Sequence, residues 1–393
     1  IPVPPQQGRY FLHMSKFAEQ VAGQNSRTYR DDLYKQQQQG GQQPWFRAEL
    51  PKLAAWLDAN EQPLTAVLEA TQRPSYYFPL VVSEDRESES LLLAALLPLP
   101  TESRSFARAL SARAMLAVEE GRMADALEDL LALHRLARLI AKGQTLVEGL
   151  VGISIESIAC QSGEAMLQSG RLSDGQLLEY QQALAGLPPI WSAAERINLI
   201  ERVSVLDAAT LVAYQGIDGL KAVSTAPFRG PSPPGVVEVL RDLDWNLVLQ
   251  TINHEFDLLY SALSKTNYSE RRSAVDDYKE HLEQVQASAK RVTELPALAK
   301  ADLQQASKVI ADVLISLLLP ATHASRTAED RGVTELELLR VAVALEQFHK
   351  ANGRFPSGLN ELQPVQGRDL ALDLFTGKPF LYQRTGSGYL LYS

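Results

Sequence analysis

The chain has 393 residues, 45% of them hydrophobic, and a formal net charge of −9. That length can hold two or three domains or one extended helical array, with apolar content for a sizeable core. The acidic balance, with lysines and arginines scattered rather than clustered, argues against a nucleic-acid partner. The one cysteine, Cys160, excludes an intrachain disulfide and a thiolate metal centre.

The chain opens at Ile1, and Pro2, Pro4 and Pro5 follow, as expected of a loose segment behind a removed signal or anchor. Tyr10–Tyr34 reads as a polar helix or two short ones, and Gln36–Gln43, with Gly40 and Gly41, as a flexible loop. Leu50, Leu53, Trp56 and Leu57 make one helical face, and Leu64, Val67 and Leu68 the next, before Pro74 stops the run. Tyr76–Pro79 is expected to be a packed aromatic loop. Leu91–Leu99 is too short to cross a membrane and contains Pro98.

From Ser103 the helical signal is strong. Phe106, Leu110, Ala114 and Ala117 lead to a turn at Gly121, and Ala126, Leu127, Leu130, Leu133 and Ile140 continue to Gly143, which predicts a helical hairpin. The spacing of Gly121, Met123, Ala126 and Leu130 resembles the second half of a tetratricopeptide unit. The next turn, at Gly170, lies 49 positions after Gly121, against a period of about 34 for a tetratricopeptide array. The spacing therefore predicts an irregular stack.

Leu146–Leu167 is apolar nearly all round, so it is expected at the centre. Gly149, Gly152 and Gly163 within it mark close helix contacts or a ligand groove facing Val236–Leu263. Ser173 or Asp174 caps the following helix, and Pro188-Pro189 ends it. Trp191–Ile217 reads as another helix and Ala222–Gly235 as a linker. Single helices are expected over Val236–Leu263, Tyr268–Glu294 (surface-lying) and Pro296–Leu319. Val309–Leu319 carries Asp312 and is about half of a membrane span. The tail reads as a helix from Val333 to His349, a turn and a hairpin packed by Tyr382, Tyr389 and Tyr392. The predicted class is mainly α: an irregular stack of antiparallel helical hairpins with a small carboxy-terminal β-hairpin, organised as 1–100, 101–221, 236–332 and 333–393.

Chemistry-bearing patterns are sparse. No two of the six histidines stand at metal-ligand spacing on one helix face, and His254-Glu255 lacks a zinc helix's second histidine. No phosphate loop, dinucleotide fingerprint or nucleophile elbow is present, so neither metal nor cofactor is expected. The candidate cleft residues are His254 and Glu255, with Asp242 or Asp244 as possible partners, and Asp207 and Glu201. The last two lie in an apolar helical run with Glu195, Arg196 and Arg202, where a buried ion-pair network is expected because a buried charge needs a partner. Cys160, among Ile153, Ile155, Ile158 and Ala159, reads as a small buried hydrophobe.

Two resemblances add to this. Ala344-Leu345-Glu346, Gly353-Arg354-Phe355-Pro356, Leu359, Leu362, Asp373, Gly377, Pro379, Tyr382 and Gly388-Tyr389 are similar to the globular head of type II secretion major pseudopilins, over about 70 residues. Leu317–Ala321 and Ser325-Arg326 look like the part of a pilin helix that follows its anchor. Leu374 stands where those proteins have proline, and their acidic calcium loop has no counterpart before Ser393, so no calcium site is carried over. Leu130–Ala137, Gly143–Ile153 and Leu206-Asp207-Ala208 resemble an uncharacterised family of planctomycete envelope proteins. That resemblance implies a helical body, a pseudopilin-like tail, and a periplasmic or envelope location. The expected function is a non-enzymatic scaffold with a protein partner. The alternatives are a small-molecule or lipid carrier using the glycine-bearing helix, and a hydrolase built on carboxylates or His254.

Overall fold

A computed structural model describes residues 10–77, 92, 98–190, 192–223, 235–319, 322–362, 372–386 and 388–393. The first helices are α1 (Met14–Ala22), α2 (Ser26–Gly40), α3 (Pro51–Ala59) and α4 (Glu61–Thr71). They precede the hairpin of α5 (Pro98–Glu119) and α6 (Met123–Ile140), then α7 (Leu146–Gln168) and α8 (Asp174–Ala185). Next, α9 (Ala193–Arg196) runs through a π-helical turn, Ile197–Glu201, into α10 (Arg202–Gln215) and α11 (Ile217–Val223). The second half holds α12 (Val236–Asp242), α13 (Trp245–Leu263), α14 (Tyr268–Ala289), α15 (Leu295–Ala301) and α16 (Leu303–Leu318). The long α17 (Thr322–Asn352) leads to β1 (Leu381–Thr385) and β2 (Gly388–Tyr392), which pair antiparallel with Leu381 opposite Tyr392. The mainly α class with a small terminal hairpin is as expected.

Local chemistry explains the boundaries. Gly121 takes a left-handed φ of 76°, and the Arg122 and Gly121 amides return to the Ala117 and Val118 carbonyls, closing α5. Thr145 with Glu148, and Ser173 with Gln176, form reciprocal caps at the starts of α7 and α8. Three expectations are corrected. The glutamine run is helical to Gly40, because Gln36 Oε1 accepts from the Lys52 and Leu53 amides and Gly40 packs on Leu53 and Trp45. The expected Val236–Leu263 helix breaks at Leu243, where Asp244 caps α13 through the Leu247 amide. The expected Pro296–Leu319 helix breaks at Asp302, which caps α16 through the Gln304 and Gln305 amides. The expected linker core at 224–234, the segment 1–9, Phe78 and Pro79 lie outside the described residues.

The apolar side chains sort into two large cores. In the first, α5, α6 and α7 pack together, flanked by α1 to α4, α8 and the middle of α17. The centrality of α7 is as its sequence predicts. Its glycines serve close packing: an added Cβ would come within 2.6 Å of Ala141 Cβ at Gly152 and 2.5 Å of the Tyr180 hydroxyl at Gly163. At Gly149 it would meet the Arg196 guanidinium at 2.9 Å. Among the described residues a neighbouring side chain thus fills the space at each of these glycines.

The second core joins α9 to α16, with Ile252, Phe256 and Leu259 of α13 facing a layer that includes Val309, Ile310 and Leu314 of α16. Each such side chain contributes about 1.5–3 kcal/mol of burial. Apolar residues of 194–223 cluster with those of 236–319, on both sides of the segment 224–234. A third, small cluster joins Val341 and Leu345 to Phe355, Leu362 and Phe380, seating the tail on α17.

Candidate functional site

The four residues singled out from the sequence do not form one site. His254 is exposed on α13, without a hydrogen bond to a carboxylate among the described residues. Its neighbour Glu255 points inward and meets His281 Nε2 of α14 at 3.0 Å. Asp207 accepts the Leu92 amide at 3.1 Å. Glu201 accepts the Leu146 amide at 3.1 Å, closing the start of α7, and burial raises its carboxyl above the ordinary range. Asp244 is spent on its cap.

Arg196 and Arg202 each reach partners that the sequence did not suggest. Arg196 reaches the Gly143 and Ala141 carbonyls at the end of α6, while Arg202 pairs with Asp257 at 2.7 Å and Asn253 at 2.8 Å. The cause is the π turn. It adds a residue to the helix just upstream of Arg202, so a spacing read at 3.6 residues per turn puts these side chains on the wrong faces.

A denser constellation lies in the first core. His134 Nδ1 meets Glu156 Oε1 at 3.0 Å and His134 Nε2 meets the Tyr180 hydroxyl at 3.1 Å. Arg138 donates to Glu156 Oε2 at 3.0 Å and to the Pro188 carbonyl at 2.7 Å. All four side chains are buried. Burial alone would raise the Glu156 carboxyl, but His134 and Arg138 outweigh it and hold it below the ordinary value. Cys160 is buried beside them, its thiol pushed well up by burial and by Glu156, which makes it an inert core residue. A histidine with both nitrogens engaged, in a solid core, positions helices and does not meet substrate. The sequence signal for it was the four-residue spacing of His134 and Arg138, which puts both on one face of α6.

The open concavity with mixed chemistry lies at the seam between body and tail. A groove of about 770 Å³ runs between the end of α7, the outer face of α17 and β2. Its wall is aromatic: His349 stacks on Phe355 at 4.2 Å, and Phe355 meets Tyr389 edge-on at 4.9 Å. The tail is held firmly behind it. The Tyr382 hydroxyl donates to the Pro356 carbonyl at 2.8 Å. Buried Asp373 accepts from the Phe375 amide and from the Thr376 and Ser393 hydroxyls at 2.8–3.0 Å.

Two carboxylates face the groove. Burial raises Glu346, against the pull of His349 and Lys350; partial desolvation, reinforced by the Glu335 carboxylate, raises Glu164. Neither has a hydrogen-bond partner among the described residues. Among the described residues β2 pairs with β1 on one edge only, and its other edge carries no strand. Tyr389 and Leu391 face inward, whereas Leu390 and Tyr392 are about half exposed, because side chains alternate along a strand. Tyr392 therefore does not pack the tail as expected.

Among the described residues no group of three His, Cys, Asp or Glu side chains is placed to hold a metal ion, and no helix is long and apolar enough to cross a membrane. Set against known proteins, the chain matches no family model, no curated protein and no solved structure.

Proposed function

We propose that this chain is a non-enzymatic, envelope-associated scaffold that holds an extended segment of a protein partner in the seam groove. The observation that carries it is the free edge of β2 beside a concave, partly apolar channel. An unpaired strand edge exposes backbone donors and acceptors, and an extended peptide satisfies them by adding a strand, while side-chain pockets supply selectivity. Glu164 and Glu346, raised by desolvation, favour a segment bearing lysine or arginine, whose charge would offset that rise. The envelope placement rests on the resemblance of residues 344–389 to pseudopilin heads and of residues 130–153 to envelope proteins.

The hydrolase alternative draws no support from His254, which has no hydrogen bond to a carboxylate among the described residues, and the lipid alternative draws none from the α7 glycines, which pack against side chains. A photo-crosslinker at Leu390, on the groove rim, tests the proposal in envelope preparations. One discrete protein adduct is expected at Leu390 and none at Tyr214, which is 87% exposed on α10. Equal labelling at both positions, or none at either, overturns it.

A further inference from the structure

The glutamine run has a second consequence. Between the last turns of α2 and the outer faces of α5 and α7 lies another groove, of about 620 Å³, in the size range of ordinary small-molecule sites. Its lining differs in kind from that of the seam. It carries no carboxylate; amides and hydroxyls dominate, from Gln37, Gln42, Ser157 and Gln161. Gln37 is only 7% exposed and makes no side-chain hydrogen bond among the described residues, yet its amide is not shut off from solvent, so it presents a donor and an acceptor to the groove it borders. The floor is fixed, since the Ser111 hydroxyl is tied to the Gly41 carbonyl at 3.1 Å and to the Ser162 hydroxyl at 2.8 Å.

Two exposed side chains complete the groove. Tyr34 is 48% exposed and offers a ring face at one wall. Arg108 is the one cation of the lining, and it has no ion pair or hydrogen bond among the described residues. Amides and hydroxyls both donate and accept, which matches groups that do the same, above all alcohols. An exposed aromatic face suits the C–H side of a sugar ring, and an unpaired guanidinium suits a carboxylate in two-pronged contact.

We propose that this groove binds an acidic saccharide, a chain of hydroxyl-rich rings carrying carboxylates. Tyr34 would stack one ring, Gln37, Gln42 and Gln161 would bridge its hydroxyls, and Arg108 would take the carboxylate. The site is separate from the seam groove and does not depend on the scaffold proposal.

Calorimetric titration of the full chain with a galacturonate hexamer, a neutral galactose hexamer and gluconate tests it. Saturable binding of the acidic hexamer is expected, about 10-fold or more tighter than of the neutral one. Arg108→Gln should abolish that difference, and Tyr34→Ala should weaken both hexamers about 10-fold. Both side chains are exposed, so unchanged melting temperatures are expected and serve as the folding control. Absence of saturable binding by either hexamer up to about 10 mM overturns the proposal. So does binding indifferent to both substitutions, and so does gluconate binding as tightly as the acidic hexamer, which would reduce the site to a carboxylate contact.

Discussion

Each large core contains a histidine–glutamate pair at the same 3.0 Å separation, and the two differ in how fully their polar atoms are answered. In the first, both Glu156 oxygens are occupied, His134 uses both nitrogens, and the set is closed to solvent. In the second, Glu255 is buried but its Oε1 and the adjacent Tyr278 hydroxyl lack a well-formed hydrogen bond, and His281 is about 40% exposed. Burial and the Glu255 charge both push the Tyr278 hydroxyl upward. The same two residue types thus make a lock in one place and an adjustable, partly wet contact in the other. What decides is whether every polar atom is answered before water is excluded.

The comparison breaks most visibly at Glu156. Glu156→Ala leaves Arg138 and His134 buried without their anion, and the expected loss is about 3–5 kcal/mol, read by denaturant unfolding. Replacing the network by apolar residues of similar volume, His134→Leu, Arg138→Met and Glu156→Leu together, should recover most of that loss. A single substitution as harmful as the recovery is complete would fit a lock; a mild single substitution would refute it. The pH dependence follows from sign. Glu156 sits below its ordinary value of 4.5 in the fold, so its contribution is present above about pH 4.5 and fades as pH falls below it.

A slightly smaller effect is expected where the second core meets α17. Arg271 of α14 makes a bidentate contact to Asp330 at 2.9 Å, with both side chains buried. Arg271 also donates to the Lys265 and Thr266 carbonyls, so Asp330→Ala leaves it partly satisfied. A loss of about 2–4 kcal/mol is expected, with hydrogen exchange rising first in α14. In the open pair, His281→Ala should cost only about 1 kcal/mol by the same unfolding assay, since the ring is about 40% exposed and makes a single hydrogen bond to Glu255. A cost equal to that at Glu156 would erase the distinction between the pairs.

How much of this was legible depended on whether the signal was periodic. The apolar face of α6 and the all-round apolar α7 follow from spacing, and the glycine at position 121 marks its turn because only a left-handed residue closes that end. The breaks at Asp244 and Asp302 were missed because an aspartate cap inside an apolar run looks like one more polar position on a helix face. The helical glutamines were missed because low complexity suggests a loop until α3 supplies the amides that Gln36 accepts. For the site, His254 looked promising only because histidine beside glutamate is noticeable in sequence. The pair that forms, Glu255 with His281, joins two helices, and neither groove could be read because each is lined from three separate elements. The π turn had no sequence mark, and it lies between Arg196 and Arg202, so their spacing cannot be read at 3.6 residues per turn.

Glu201 gives the smallest and cleanest test, because it sits at that turn. Burial raises its carboxyl, and the Leu146 amide only partly offsets the rise. The folded state therefore favours the protonated form. The penalty is absent below the ordinary value of 4.5, grows as pH rises through the folded value, and is constant above it. Glu201→Gln keeps a carbonyl oxygen for the Leu146 amide and removes the ionisable group. At pH 7 it should raise the melting temperature by on the order of 1–3 °C, and below about pH 4 it should match the parent chain. A drop at pH 7 would mean that the Glu201 charge stabilises the fold, which the neighbouring Arg202, already paired with Asp257, gives no reason to expect, and a gain that persists in acid would mean that the charge is not its source.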